Sequence, residues 1–239
     1  MVEIKLVRLD PKLHFPKDCA QYVSFERRVK IMNYKNDDDK KRSLISELLI
    51  RAAAHEKLNI PAEKCKISYN PYGKPYIDNV RHFKFNISHS GGYVAIATGR
   101  QKVGVDIELK KEIDMSVAKR FFTQNEYEYI RSFVSESDRR DAFYTLWTLK
   151  ESYIKAVGKG LKIPLNSFEL TIGDKISVKD NTKYNFKFIC KRIEGYAIAV
   201  CYVEEKVDDI LYCEEEQLYQ FIRRVVKQNE KHREDQSPF

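Results

Sequence analysis

The chain has 239 residues, of which 43% are apolar and 33% charged, and a formal net charge of +8. This is ordinary composition for a folded, water-soluble chain long enough for one domain or two small ones. No apolar run approaches the roughly 20 residues of a membrane-spanning helix, and the basic excess predicts an anionic partner without choosing among nucleic acid, a polyphosphate and an acidic protein.

At the start of the chain Val2, Ile4 and Leu6 alternate with polar residues, which predicts a strand. The segment lacks the apolar block of a secretory signal, so a cytoplasmic protein is expected. The five cysteines (Cys19, Cys65, Cys190, Cys201 and Cys213) are odd in number and none stands in a C-x-x-C pair. They are read as reduced, mostly buried thiols rather than disulfide partners or zinc ligands.

A helix is predicted from about residue 40 to 57, with Leu44, Ile45, Leu48, Leu49, Ala52 and Ala53 on one stripe and Asp37 to Asp39 before it. Next comes Tyr72-Gly-Lys-Pro75, a stiff turn that would hold Lys74 in one place. The segment Phe85-Asn-Ile-Ser-His-Ser-Gly-Gly92 reads as a strand ending in a turn whose donors suit an anion. Plain hairpin chemistry accounts for it equally well, and no G-x-S-x-G elbow accompanies it.

In Val103-Gly-Val-Asp-Ile-Glu-Leu109, strand alternation turns Asp106 and Glu108 to one face and Val105 and Ile107 to the other. Two carboxylates on such a strand need either water or a cation; a solvated strand end and a metal site both fit. An inserted helical stretch is expected over residues 115–131, where Thr123-Gln-Asn-Glu126 has the form of a capping box. A second long helix, from about residue 141 to 157, ends near Gly158 and carries Trp147, Lys150, Glu151 and Ile154 close to one face. Glu151 and Lys155, four apart, could form a surface pair. Alternatively Glu151 adds a third carboxylate, and three oxygen donors without nitrogen or sulfur suit Mg²⁺. A last amphipathic helix is predicted from about residue 214 to 227, followed by a loose tail over 228–239.

Two echoes share one offset. Leu58-Asn-Ile-Pro61 returns as Leu161-Lys-Ile-Pro164, and Gly92-Tyr-Val-Ala-Ile-Ala97 as Gly195-Tyr-Ala-Ile-Ala-Val200, each 103 residues on. A fixed period predicts two similar α/β halves, with ligands in the cleft between them.

Taken together, Tyr72-Gly-Lys-Pro75, Phe85-Asn-Ile-Ser-His-Ser-Gly91, Gly104-Val-Asp-Ile-Glu108, Ala118-Lys-Arg-Phe-Phe122 with Glu126, and Leu146-Trp-Thr-Leu-Lys-Glu-Ser-Tyr-Ile-Lys155 with Gly158-Lys-Gly160 resemble the surfactin-type 4′-phosphopantetheinyl transferases. The resemblance spans about residues 20–205 in the family's order. It implies an α/β fold of two similar subdomains about a pseudo-twofold. The expected division is residues 1–104, with coenzyme A contacts, and 105–227, with the metal site and the surface that docks the carrier protein.

The implied activity is transfer of the phosphopantetheine arm of coenzyme A to a serine of an acyl or peptidyl carrier protein, releasing 3′,5′-ADP. The implied metal ligands are Asp106, Glu108 and Glu151, holding Mg²⁺. Ser88, His89 and Lys155 would meet coenzyme A phosphates, Lys30, Arg42 and Ser43 the 3′-phosphate, and Lys74 and Pro75 the adenine nucleotide. Glu151, Lys155 and His89 would be catalytic. The family receives its carrier protein on residues 115–131, where Phe122 and Tyr127 are expected to be exposed. The resemblance further implies no nucleic-acid or membrane partner and, from the chain's length, a monomer. The carriers could serve non-ribosomal peptide or polyketide synthesis, hence antibiotic biosynthesis, or fatty-acid synthesis. A Mg²⁺-dependent phosphodiesterase or nuclease and a non-catalytic binder of acidic proteins are the rival classes.

Overall fold

Strand and helix signals recur in the same order twice, and the computed structural model, which describes residues 1–180, 182–204 and 206–234, carries that order into space. The first unit runs β1 (Val2–Arg8), α1 (Phe25–Met32), α2 (Asp37–Leu58), a hairpin of β2 (Ile67–Tyr69) and β3 (Pro75–Ile77), then β4 (Lys84–Ser90) and β5 (Tyr93–Gly99). The second runs β6 (Val103–Leu109), α3 (Met115–Phe121), α4 (Gln124–Arg131), α5 (Glu136–Val157), a hairpin of β7 (Glu169–Ile172) and β8 (Ile176–Lys179), then β9 (Lys187–Ile193) and β10 (Tyr196–Tyr202). β11 (Val207–Glu214) and α6 (Glu215–Glu234) close the described chain.

α4 follows α1 by 99 residues and α5 follows α2 by the same step, whereas β9 and β10 follow β4 and β5 by 103. The difference of four residues falls just after α5, at Gly158 to Leu161. Two expectations change. α4 is the counterpart of α1, so residues 115–131 are not an insertion; α3 is longer than its counterpart, a short 3-10 turn at Cys19–Tyr22. The helices also begin earlier than their apolar stripes, because Asn36 and Ser135 cap polar first turns at Asp37 and Glu136. The capping box at Thr123 and Glu126 forms as read from sequence.

In the larger sheet β1 pairs antiparallel with β5, and β5 with β4; in the second, β6 pairs antiparallel with β10, and β10 with β9. The equivalence is exact in register: Lys5 faces Ile96 as Asp106 faces Ala199. α2 covers one sheet with Leu44, Leu48 and Leu49, and α5 covers the other with Leu146, Leu149 and Tyr153. A third cluster lies between the sheets, joining Ile4, Leu6 and Ala97 to Val105, Ile107 and Val200. Both sheet faces are therefore buried, which is why β5 and β10 read as nearly unbroken apolar runs.

α6 runs to Glu234, past the end read from sequence, and residues 235–239 of the expected tail lie outside the described residues. All five cysteines are free thiols; Cys19, Cys65 and Cys201 are buried, Cys213 is half-buried and Cys190 is exposed.

Candidate active site

β6 is an edge strand on the side away from β10, so the N–H groups of Val105, Ile107 and Leu109 need partners from elsewhere. β4 supplies them with side chains. Asn86 Oδ1 accepts from Val105 N at 2.9 Å, Ser88 Oγ from Ile107 N at 3.3 Å and Ser90 Oγ from Leu109 N at 3.1 Å. This ladder of alternate residues binds the first half to the second. It corrects the turn expected at Ser88-His89-Ser90, which belongs to β4; only Gly91 and Gly92 make the turn.

The same hydroxyls donate to the carboxylates of β6. Ser88 Oγ donates to Asp106 Oδ1 at 2.9 Å, and Ser90 Oγ to Glu108 Oε2 at 2.9 Å. Asp106 is only 2% exposed, and Lys155 Nζ, from α5, donates to its Oδ1 at 2.5 Å and to Ser88 Oγ at 3.0 Å. Its other oxygen, Oδ2, is buried with no hydrogen-bond partner. Lys155 thus pairs with Asp106 across the sheet–helix contact rather than with Glu151 along its own helix. α5 reaches this close because β6 has Gly104 beneath it: a Cβ there would stand 2.0 Å from Ser152 O and 2.4 Å from Ala156 N.

Glu151 completes the group from α5. Burial raises the pKa of Asp106 against the pull of Lys155, raises that of Glu108 with help from Asp106, and raises that of Glu151, again with help from Asp106. Burial thus opposes the ionised form of each carboxylate, and Lys155 already offsets part of that cost at Asp106. Among the described residues no three His, Cys, Asp or Glu side chains form a ready-made metal cage. The carboxylates share a cleft, but Lys155 holds one and Ser90 another.

The cleft, of about 420 Å³, lies between the halves: Ser88 and His89 line it from one, Asp106, Glu108, Glu151 and Lys155 from the other. Arg27, Tyr69, Pro75 and Trp147 line it too. Arg27 is fixed by Glu47, Ser43 Oγ and Tyr69 OH at 3.2, 3.3 and 3.5 Å. His89 has an exposed ring whose pKa is lowered by partial desolvation and then by Arg42, Lys155 and Lys30. The three cations gathered round this imidazole mark the mouth as a place for anions. Arg42 stands at the margin, donating to Gly91 O at 2.6 Å and Asp39 at 2.6 Å, and Lys30 is exposed on α1.

A larger hollow of about 650 Å³ lies against α5 beside Tyr153, Glu169 and Asp180. Its acidic groups are matched within the chain, Asp180 by Tyr153 and Glu169 by both Thr123 and Asn125.

Other expected residues fall elsewhere. Lys150 turns away from Glu151 into the core of the second half, 2.8 Å from Glu126 Oε1. Phe122 is buried against Phe143 and Trp147 instead of exposed, and Tyr127 is half-buried. Lys74 is close to the seam between the halves, but its ammonium points at backbone carbonyls of β6 and α5. Sequence reading overlooked Glu47 and Ser90. The alternation of Asn86, Ser88 and Ser90 was a visible signal for the second; nothing local marked the first.

Comparison with known proteins agrees with this architecture. A family model described as the 4′-phosphopantetheinyl transferase superfamily matches residues 102–201, and one described as 4′-phosphopantetheinyl transferase, N-terminal, matches residues 10–101. The two matches meet in the connection between β5 and β6. The 4′-phosphopantetheinyl transferase gsp of Aneurinibacillus migulanus is 38% identical over 88% of this chain and 90% of its own. Sfp of Bacillus subtilis (strain 168) is 35% identical over 75% of this chain and 82% of its own. A solved holo-(acyl-carrier-protein) synthase from Bacillus anthracis covers 44% of this chain and 96% of that one at 22% identity, with a TM-score of 0.39, too low to carry weight. The chain belongs to the 4′-phosphopantetheinyl transferase family.

Proposed function

We propose that the cleft binds coenzyme A and Mg²⁺ and transfers the phosphopantetheine arm to a serine of an acyl or peptidyl carrier protein, with release of 3′,5′-ADP. The observation that carries this reading is the buried, unpartnered Oδ2 of Asp106, which shares a cleft with two more carboxylates whose pKa values burial raises. An all-oxygen donor set of Asp106, Glu108 and Glu151 fits a hard divalent ion that keeps waters and takes phosphate oxygens. When bound, Mg²⁺ would orient the pyrophosphate and offset charge on the departing ADP.

Glu151 takes the proton of the carrier serine, a task suited to a carboxylate with a raised pKa. The serine oxygen forms a bond to the phosphorus that bears the pantetheine. The bond from that phosphorus to the bridging oxygen breaks, and the electron pair leaves with 3′,5′-ADP. Lys155 and His89 stabilise charge on the phosphates, and Ser88 stands beside them. Arg27, Arg42, Lys30 and Ser43 provide the basic margin for the 3′-phosphate, while Pro75 lies against the nucleotide. The chain acts as a monomer in the cytoplasm, without nucleic-acid or membrane partners; its carriers serve fatty-acid, polyketide or non-ribosomal peptide synthesis.

Glu151→Gln and Asp106→Ala test the assignment. Each is expected to lower transfer from coenzyme A to an apo carrier protein, followed by intact mass, by about a hundredfold or more. Transfer near the normal rate by either variant contradicts the roles given to these residues.

A further inference from the structure

Lys74 lies in the hairpin turn between β2 and β3, and that turn is rigid. Asn70 Oδ1 accepts from the N–H groups of Tyr72 and Lys74, each at 2.9 Å, and Gly73 takes φ +83°. The Lys74 ammonium crosses the seam and donates to Val103 O at 2.9 Å, Lys155 O at 2.5 Å and Ala156 O at 3.5 Å. Val103 opens the strand that carries Asp106 and Glu108. Lys155 and Ala156 end the helix that carries Glu151, where free carbonyls and the helix dipole favour a cation.

A second contact doubles the first. Asn70 Nδ2 donates to Gly158 O at 3.0 Å, and Lys162 Nζ lies 5.1 Å from the centre of the Tyr72 ring. Gly158 takes φ +82°, which a side chain would strain, and a Cβ there would stand 3.0 Å from Lys74 Cδ and push that side chain aside. Gly158 is the first of the four residues by which the second repeat exceeds the first, and Lys162 follows directly after the last. The extra length is thus used to grip the hairpin of the other half.

We propose that Lys74 is a positioning residue rather than a ligand contact: its ammonium ties the last turn of α5 to the start of β6 and so sets Lys155 and Glu151 against Asp106. The inference rests on the roles assigned above to Glu151 and Lys155. Burial, with Lys102 and Lys84 nearby, pulls the Lys74 pKa down to about 7, and its ammonium donates to three carbonyl oxygens. A misplacement of about 1 Å at a reacting group costs rate far more than it costs binding.

The test compares coenzyme A binding by calorimetry with turnover on an apo acyl carrier protein in Mg²⁺, for the unaltered enzyme, Lys74→Met and Gly158→Ala. The second variant disturbs the same grip without removing the lysine. Turnover is expected to fall about tenfold or more in both, with coenzyme A affinity held within about threefold. Weakened coenzyme A binding at unchanged turnover would make Lys74 a ligand contact, and a lowered melting temperature with unchanged turnover would make it structural only; either overturns the proposal. Glu151→Gln, run alongside, separates the two levels. If it transfers normally, the role of Glu151 fails, while the Lys74 clasp falls only if turnover in Lys74→Met is also unchanged.

Discussion

Asp106 keeps one oxygen in a double grip from Ser88 and Lys155 and leaves the other without a partner, in a place water hardly reaches. Burying a carboxylate so is costly unless something else comes to meet it. The consequence is a linkage with a definite sign. Asp106, Glu108 and Glu151 all have pKa values above the ordinary carboxylate range in the folded chain. Between the ordinary and the raised values the folded chain holds more protons than the unfolded one, so stability from these groups falls as pH rises through that window. Mg²⁺ binds the ionised forms, so its stabilising effect runs the other way. Added Mg²⁺ is expected to raise the melting temperature more at about pH 8 than at about pH 5, with the gain lost in Asp106→Asn. An equal shift at both pH values would contradict a site built on these carboxylates. The shared face of Asp106 and Glu108 was legible in the alternation of β6. The partner of Lys155 was not, because local spacing offered Glu151, and only the packing of α5 over Gly104 brings Asp106 nearer.

At the scale of elements, each long helix holds a buried base at the same place in the repeat. Arg51 of α2 donates to Ala62 O and pairs with Glu47; Lys150 of α5 donates to Leu165 O at 2.8 Å and pairs with Glu126. Each ties its helix to the turn that leads into the following hairpin. Glu126 adds the Thr123 capping box and accepts from Leu170 N at 2.8 Å, so it joins α4, α5 and β7. Removing one partner of such a pair leaves a buried charge alone, and Glu126→Ala is expected to cost about 3–5 kcal/mol in urea unfolding. Glu126→Ala with Lys150→Met should recover part of that loss; a neutral single variant would contradict the account. The existence of both long helices was plain from their apolar stripes. Their first turns were missed because Asp37–Asp39 and Glu136–Arg140 are polar and say nothing of a buried face. Lys150 was misplaced for a related reason: a lysine beside Glu151 reads as surface until its acidic partner, 24 positions earlier in sequence, is folded against it.

Across the whole molecule the repeat yields two corresponding strand–helix ion pairs, of which the one in the second half lines the cleft. Lys5 on β1 and Glu56 on α2 pair where Asp106 and Lys155 pair in the other half, with the charges reversed. The outer edge of β1 is closed by the backbone of β11, which lies parallel to it. The outer edge of β6 meets side chains instead, those of β4 and of Lys74, and that difference leaves the working cleft open. Two short echoes in sequence revealed the duplication, whereas β11, which breaks it, has no counterpart to be compared with. The central claim is that this open cleft moves a phosphopantetheine arm from coenzyme A to a carrier serine. Its most direct test is intact mass spectrometry of an apo carrier protein with the enzyme, coenzyme A and Mg²⁺, beside the same carrier with that serine changed to alanine. A mass gain of one arm on the serine carrier alone, lost when Mg²⁺ is chelated, is the predicted result. No gain on any apo acyl or peptidyl carrier, or an equal gain on the alanine carrier, would contradict it.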